Sequence, residues 1–282
     1  MLGLTAYSML PCMNSRLLAF CSWSVRPKNP QELVSACSEC EIDNIQLALL
    51  PLVQNAAWKD CESVLSDTGI TVISGMLEAY GEDYTTLESI TQTGGLRRDE
   101  MWESTLENAK RTGDVAAEMG LSLVTFHAGF IPEEQCDERR KMLDRLRELT
   151  DEFANRELML GLETGQERAD NVVTILEELD HPTLGVNFDP ANMILYGKGE
   201  PVEAMKALQS WVQQIHIKDA KHALVNGTWG EEVVAGEGDV DWDGFLLLVP
   251  ENVNLVIERE GGEDRICDIK KAKVMIEELG LC

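Results

Sequence analysis

Basic residues are scarce in this 282-residue chain: 24 Lys plus Arg stand against 50 Asp plus Glu, for a formal net charge of -26. Phosphate backbones are bound by clustered Lys and Arg, and no basic stripe is present, so nucleic acid is excluded as a natural partner. Long apolar runs are missing as well. No stretch approaches the roughly 18 apolar residues of a membrane span, and no membrane association is expected. The opening MLGLTAYSMLPCMNS is apolar but lacks a basic n-region and breaks at Pro11 and Cys12, so it does not read as an export signal. Residues 1–13 are expected to form a loose tail, with Met13 as an alternative start, and the protein to be cytoplasmic. No GxGxxG follows the first strand-like segment, which argues against a dinucleotide fold; no organic cofactor is expected. The eight cysteines follow no framework pattern and read as reduced thiols in a chain far larger than a disulfide-stapled miniprotein. Cys37 and Cys40 form a lone CxxC with neither a second pair nor nearby histidines, so no zinc site is read there.

What the chain does have is alternation. Hydrophobic residues make up 44% of it, enough for one large core, and about 250 residues is typical of a (β/α)8 barrel. Strand-like segments are LLAFCSWSV (17–25), NIQLALLPL (44–52), ITVISGML (70–77), LSLVTFHAG (121–129), LMLGLET (158–164), LGVNFDP (184–190), residues 212–219 and LVIERE (255–260). Helix-like stretches separate them. Met142, Leu146, Leu149 and Phe153 recur at spacings of four, three and four, which places them on one buried face. In the last helix Ile269, Ala272, Met275, Ile276 and Leu279 are expected inward. Two long segments interrupt the alternation, YGEDYTTLESITQTGGLRRDE (80–100) and KHALVNGTWGEEVVAGEGDVD (221–241). Loops of that length in a compact domain are usually functional or disordered, and the first reads as a lid over the barrel mouth. The fold class expected is α/β, a single (β/α)8 barrel over residues 14–282.

The last four strand-like segments each end in a residue able to bind a metal: Glu163, Asp189, His216 and Glu258. Parallel strands joined by crossover helices bring all their carboxyl ends to one face. A lone acid there is usually a helix cap or a solvated charge. Four such groups on successive strands would crowd like charges unless a cation neutralised them. An oxygen and nitrogen donor set suits one divalent ion such as Mn, Co, Mg or Zn.

The segments FHAGF, LGLETGQE, NFDPANMILYG, IHIKDA, TWGEEVVAGEGDVDW and VIERE resemble the sugar phosphate isomerase/epimerase family of the xylose-isomerase-like TIM-barrel superfamily, from about Leu17 to Leu279. The resemblance implies a divalent metal held by Glu163, Asp189, His216 and Glu258, with Glu163 and Glu258 doubling as catalytic acid and base. The chemistry fits. Moving a stereocentre beside a carbonyl means removing a weakly acidic proton, passing through a metal-stabilised enediolate and returning a proton. Return to the same carbon from the opposite face gives epimerisation; return to the neighbouring carbon gives isomerisation. The substrate expected is a small sugar or polyol.

Other residues are weighed beside these. His127 is a partner for a sugar hydroxyl or a buried structural histidine. Asn192 stands three residues after Asp189, where many superfamily members carry histidine. Lys218 shares the face of His216, since strand side chains alternate, and either reaches a substrate oxygen or pairs with a carboxylate. Trp23 on the first strand stacks on a sugar or fills the core. Glu260 shares a face with Glu258, the deeper of the two being preferred as ligand. His222 and Glu232 are expected to face solvent. The loops after strands seven and eight, where TIM barrels commonly bind phosphate, are rich in acid, so the sugar is read as unphosphorylated. Three alternatives are an inosose-dehydratase-like lyase, the apurinic endonuclease branch and a non-catalytic barrel. The endonuclease is disfavoured by Asn192 and by a total of only four histidines. A homo-oligomer is left open.

Overall fold

The computed structural model describes residues 16–225 and 227–281; the expected tail at 1–13 lies outside them. The strands in chain order are β1 (Leu18–Cys21), β2 (Asn44–Ala48), β3 (Thr71–Met76), β4 (Leu123–Phe126), β5 (Met159–Glu163), β6 (Leu184–Phe188), β7 (Val212–Ile217), β8 (Asp219–Lys221), β9 (Glu231–Val233) and β10 (Asn254–Ile257). Strands β1 to β7 and β10 pair in parallel and close into an eight-stranded barrel, the seam being Leu18 opposite Leu255 and Phe20 opposite Ile257. Strands β8 and β9 form a separate antiparallel hairpin. The protein is a single-domain (β/α)8 TIM barrel, as the alternation of segments predicts. Among the described residues, no helix is long and apolar enough to cross a membrane.

The main core lies between the strands and the surrounding helices, as the two periodicities require. The helix Asp137–Ala154 starts from Cys136, whose sulfur accepts from the Arg139 N–H, and buries Met142, Leu146, Leu149 and Phe153 almost completely. In the last helix, Arg265–Glu278, Ile269, Ala272 and Ile276 are buried and Met275 packs against the core. Leu279 instead lies beyond the helix and is exposed. Cys37 and Cys40 are both buried core thiols on the helix Pro30–Cys40.

Three departures from the sequence reading bear on the site. β1 ends at Cys21, where the chain turns into a 3-10 helix, Ser22–Val25. The cause is side-chain capping of neighbouring backbone: the Ser22 hydroxyl accepts from Ala48 N and the Ser24 hydroxyl from Arg259 N, both at 2.9 Å. Trp23 therefore leaves the strand and swings over the mouth. β2 ends at Ala48, because Pro51 sits comfortably in the first turn of a short helix, Leu50–Gln54. The long segment 80–100 contains a helix, Leu87–Thr93, opened by a reciprocal Thr86–Ser89 capping box. Its tail, Gly94–Gly95, lies backbone to backbone on Ala128–Gly129. A Cβ on Gly95 would come within 2.0 Å of the Ala128 carbonyl carbon, and both Gly95 and Gly129 have positive φ. Leu96 N donates to Ala128 O at 2.9 Å. The segment is thus fastened beside His127, and Tyr80, Glu82 and Tyr84 line the mouth.

Candidate active site

Each of the four candidate ligands arrives at the carboxyl end of a strand: Glu163 is the last residue of β5, Asp189 follows β6, His216 is next to last in β7 and Glu258 follows β10. The pairing of Glu163 with Asn187, Asn187 with Gln214 and His216 with Val256 steps the four around one rim. All are at most 5% exposed. His216 Nδ1 lies 3.4 Å from Glu163 Oε1, 3.4 Å from Glu258 Oε2 and 3.8 Å from Asp189 Oδ2. One donor atom from each residue falls within 4.8 Å of the others.

The hydrogen bonds around this cluster leave its centre open. Asp189 caps the helix Pro190–Leu195 with Oδ1, which accepts from Asn192 N at 2.9 Å, while Oδ2 has no hydrogen-bond partner. His216 Nδ1 has none either. Two buried polar atoms left unsatisfied at the meeting point of three carboxylates carry a cost that a cation would remove. The oxygen and nitrogen set fits a hard or borderline divalent ion.

The outer sides of the ligands are held. His216 Nε2 lies 2.8 Å from Gln46 Oε1. The orientation of Gln46 is fixed because its amide nitrogen donates to Thr125 Oγ1 at 2.8 Å and towards Gly75 O at 3.4 Å. With Gln46 accepting from Nε2, the imidazole turns Nδ1 towards the three carboxylates. Asn187 donates to Glu163 Oε2 at 3.3 Å, and Gln214 links Asn187 to Ser74. This polar network fills the barrel interior beneath the cluster. Outer partners of metal ligands typically contribute about 10–100-fold in affinity. Gln46→Leu, which removes the acceptor, is expected to weaken divalent-ion binding by that factor in a competition titration with a chromophoric chelator.

The other sequence-predicted residues stand next to the cluster. Asn192 donates to Glu163 Oε1 at 3.0 Å, and His127 Nε2 is 3.5 Å from the same oxygen. Trp23 Nε1 donates to Glu258 Oε1 at 2.7 Å. Lys218, just past β7, pairs with Glu258 at 2.8 Å, Glu260 at 2.6 Å and Asp189 at 3.7 Å. It is therefore a carboxylate partner. Glu260 belongs to that pair and lies outside the four-residue cluster. His222 is on the surface, 2.9 Å from Asp239. Glu232 departs from expectation: it is largely shielded, accepting from Arg259 Nη1 and from the backbone of Glu260 and Gly261, so it shapes the loop after β10.

Electrostatics follow from this geometry. Burial alone would raise the Glu258 pKa, but Lys218 and then His216 hold it well below the usual carboxylate range. Glu163 is also lowered, by His127 and His216 against burial. Asp189 goes the other way, pushed up by burial to about 6. His127 is raised because Glu163 and Glu82 outweigh its desolvation. Further out, Glu167 accepts from Ile131 N at 3.2 Å and is pushed up to about 7, chiefly by burial. Its neutral form favours the fold, so its stabilising effect is full below the ordinary glutamate pKa of 4.5 and fades as pH rises through about 7. Glu167→Gln is expected to be more stable than the parent above neutrality, by about 2 kcal/mol, with the difference vanishing near pH 4. Paired melting curves across pH check this; a pH-independent difference contradicts it.

Comparison with known proteins agrees with the fold. The family model of the xylose isomerase-like TIM barrel matches residues 34–279, and the chain belongs to that family. A xylose isomerase domain protein from Planctomyces limnophilus superposes with a TM-score of 0.82 at 28% identity, covering 94% of this chain and 96% of that one. An inosose dehydratase from Geobacillus kaustophilus is 28% identical over 159 residues, 54% of this chain and 40% of its own length. A 3-oxo-isoapionate decarboxylase from Pectobacterium atrosepticum is 29% identical over 120 residues, 40% of this chain and 43% of its own length. The chain thus aligns with less than half the length of these two enzymes.

Proposed function

We propose that this protein is a divalent-metal-dependent isomerase or epimerase acting on a keto-sugar or polyol-derived ketone. The observation that carries the reading is the convergence of Glu163, Asp189, His216 and Glu258 around two unsatisfied buried atoms, His216 Nδ1 and Asp189 Oδ2. Those four residues would hold one ion (Mn, Co, Mg or Zn). Such an ion supplies positive charge beside a bound carbonyl oxygen, lowering the cost of negative charge there. Glu163, ionised and buried, accepts the proton from the carbon beside the carbonyl. His127, 3.5 Å away and with its pKa raised by Glu163 and Glu82, steadies Glu163 and offers an N–H to a substrate oxygen. Glu258, kept ionised by Lys218, stands three strands further round the barrel as the second proton-handling group. Trp23 and Asn192 fix the two glutamates and reach the same cavity.

An unphosphorylated substrate is favoured. Lys218 is committed to carboxylates, and no Lys or Arg lines either lobe of the mouth. The second reading, a lyase that expels a β-hydroxyl, is favoured by the similarity to an inosose dehydratase. Loss of water beside a ketone and loss of carbon dioxide from a 3-oxo acid both put charge on carbon next to a carbonyl, so one site serves either chemistry. Incubating manganese-loaded protein with unphosphorylated ketoses and inososes in heavy water separates them. Deuterium entering beside the carbonyl without loss of water is the expected result; water loss assigns the lyase. Neither event across the panel sinks both.

A further inference from the structure

Two adjoining lobes lie at the barrel mouth beside the cluster. One, of about 440 Å³, is lined by Trp23, Glu78, Tyr80, Glu82 and Glu258. The other, of about 500 Å³, is lined by Asn192, Leu195, Tyr196, Trp229 and Glu232. Tyr84, His127 and Glu260 border both. Small-molecule sites begin at about 300 Å³, so the first lobe has room for one sugar ring, and the second is surplus to a monosaccharide.

The walls of the second lobe say what it suits. Tyr196 and Trp229 pack with centroids 4.9 Å apart, and Phe130 meets Tyr196 edge-on at 5.6 Å. Aromatic groups present large apolar faces with a polar edge, a surface that fits the C–H face of a sugar or an aryl ring. Charge narrows the choice. The ionisable groups bordering this lobe are Glu232, Glu260, His127, Tyr84 and Tyr196. The two lysines close by are engaged, Lys218 with Glu258 and Glu260, Lys198 against the Phe130 ring. A phosphate or nucleotide would meet Glu232 and Glu260 there, and the imidazole of His127 is already turned to Glu163 at 3.5 Å, so the lining favours a neutral occupant.

We infer that the second lobe is a subsite for the aglycone of a glycoside, a neutral second sugar or aryl group, while the keto-sugar ring occupies the first lobe. This rests on reading the cluster as a site for proton transfer beside a sugar carbonyl, and it narrows that reading. In a glycoside the anomeric carbon is an acetal and has no carbonyl to offer. The ketone is then on another ring carbon. The proton leaves the carbon beside it, the electron pair moves onto the ketone oxygen, and a proton returns to the same carbon from the other face, with no net redox change. Aldose–ketose isomerisation, which needs a free anomeric carbonyl, is excluded for such a substrate.

The test compares methyl and phenyl 3-keto-glucopyranosides binding to the manganese-loaded protein by calorimetry, in the parent and in Trp229→Ala and Trp229→Phe. The phenyl glycoside is expected to bind at least 10-fold tighter than the methyl one in the parent. That ratio should collapse towards one in Trp229→Ala and survive in part in Trp229→Phe. Equal affinities in the parent, or an undiminished ratio in Trp229→Ala, overturn the subsite. Deuterium uptake on the same samples reports on the proposed function separately. A Trp229-dependent preference without exchange keeps the subsite and removes the proton-transfer reading, and exchange without any preference does the reverse.

Discussion

Glu163→Gln is expected to abolish deuterium exchange beside the substrate carbonyl, by ~10³-fold or more, while leaving the circular dichroism spectrum unchanged. The size follows from the two roles that meet in one side chain. Loss of a positioned proton-transfer group removes ~10²–10⁴-fold. Replacing an ionised oxygen with an amide also weakens the hold on the ion, removing part of the electrostatic stabilisation. The fold is spared because glutamine has nearly the same shape and its carbonyl still accepts from Asn192. Only the hydrogen bond from Asn187 is disturbed. Exchange at the parental rate would take Glu163 out of the mechanism.

Removal of bound metal gives the second large effect. Chelation is expected to abolish turnover and to lower the melting temperature by roughly 5–11 °C, both restored by adding a divalent ion. A ligand at 100 times its Kd stabilises by about 2.7 kcal/mol, and for a chain of this size each kcal/mol is worth about 2–4 °C. The cause is local. Without the ion, three buried carboxylates are balanced by Lys218 and His216 alone, and Asp189 Oδ2, 3.7 Å from Lys218 Nζ, has no hydrogen bond. Full activity in metal-free protein, verified by elemental analysis, would end the metal reading.

The order of strands and the four clustered side chains were legible because each strand ends its apolar run in one polar residue. The layer beneath was overlooked. Asn187 and Gln214 sit two residues before Asp189 and His216, so strand alternation points them into the barrel. Their polarity inside apolar runs was the signal. Gln46 offers a weaker signal, since its value depends on β2 and β7 projecting side chains across the same interior, which only the closed barrel reveals. LLAFCSWSV reads as one strand through Trp23 because its only polar residues are two small serines. Two serine hydroxyls that bind backbone on β2 and after β10 turn the chain there, and those partners are distant in sequence. The helix inside residues 80–100 did have a local mark, Thr86 three residues before Ser89, but its polar surroundings hid it.

Asp219 collects five N–H groups in one buried carboxylate: the backbone of Ala220, Gly236, Gly238 and Val240, and the Trp242 indole. Gly238 is held so close that a Cβ there would lie 2.0 Å from Asp219 Oδ1. Both roots of the β8–β9 excursion are thereby riveted to one point beside Lys218. The tip beyond the rivets, which carries Trp229, rests instead on the helix Pro190–Leu195, Gly230 N donating to Leu195 O at 3.1 Å and Trp229 packing on Tyr196. Grafting a different tip between Lys221 and Glu231 is therefore a route to changing what the second lobe accepts while the hold of Asp219 on both roots is kept.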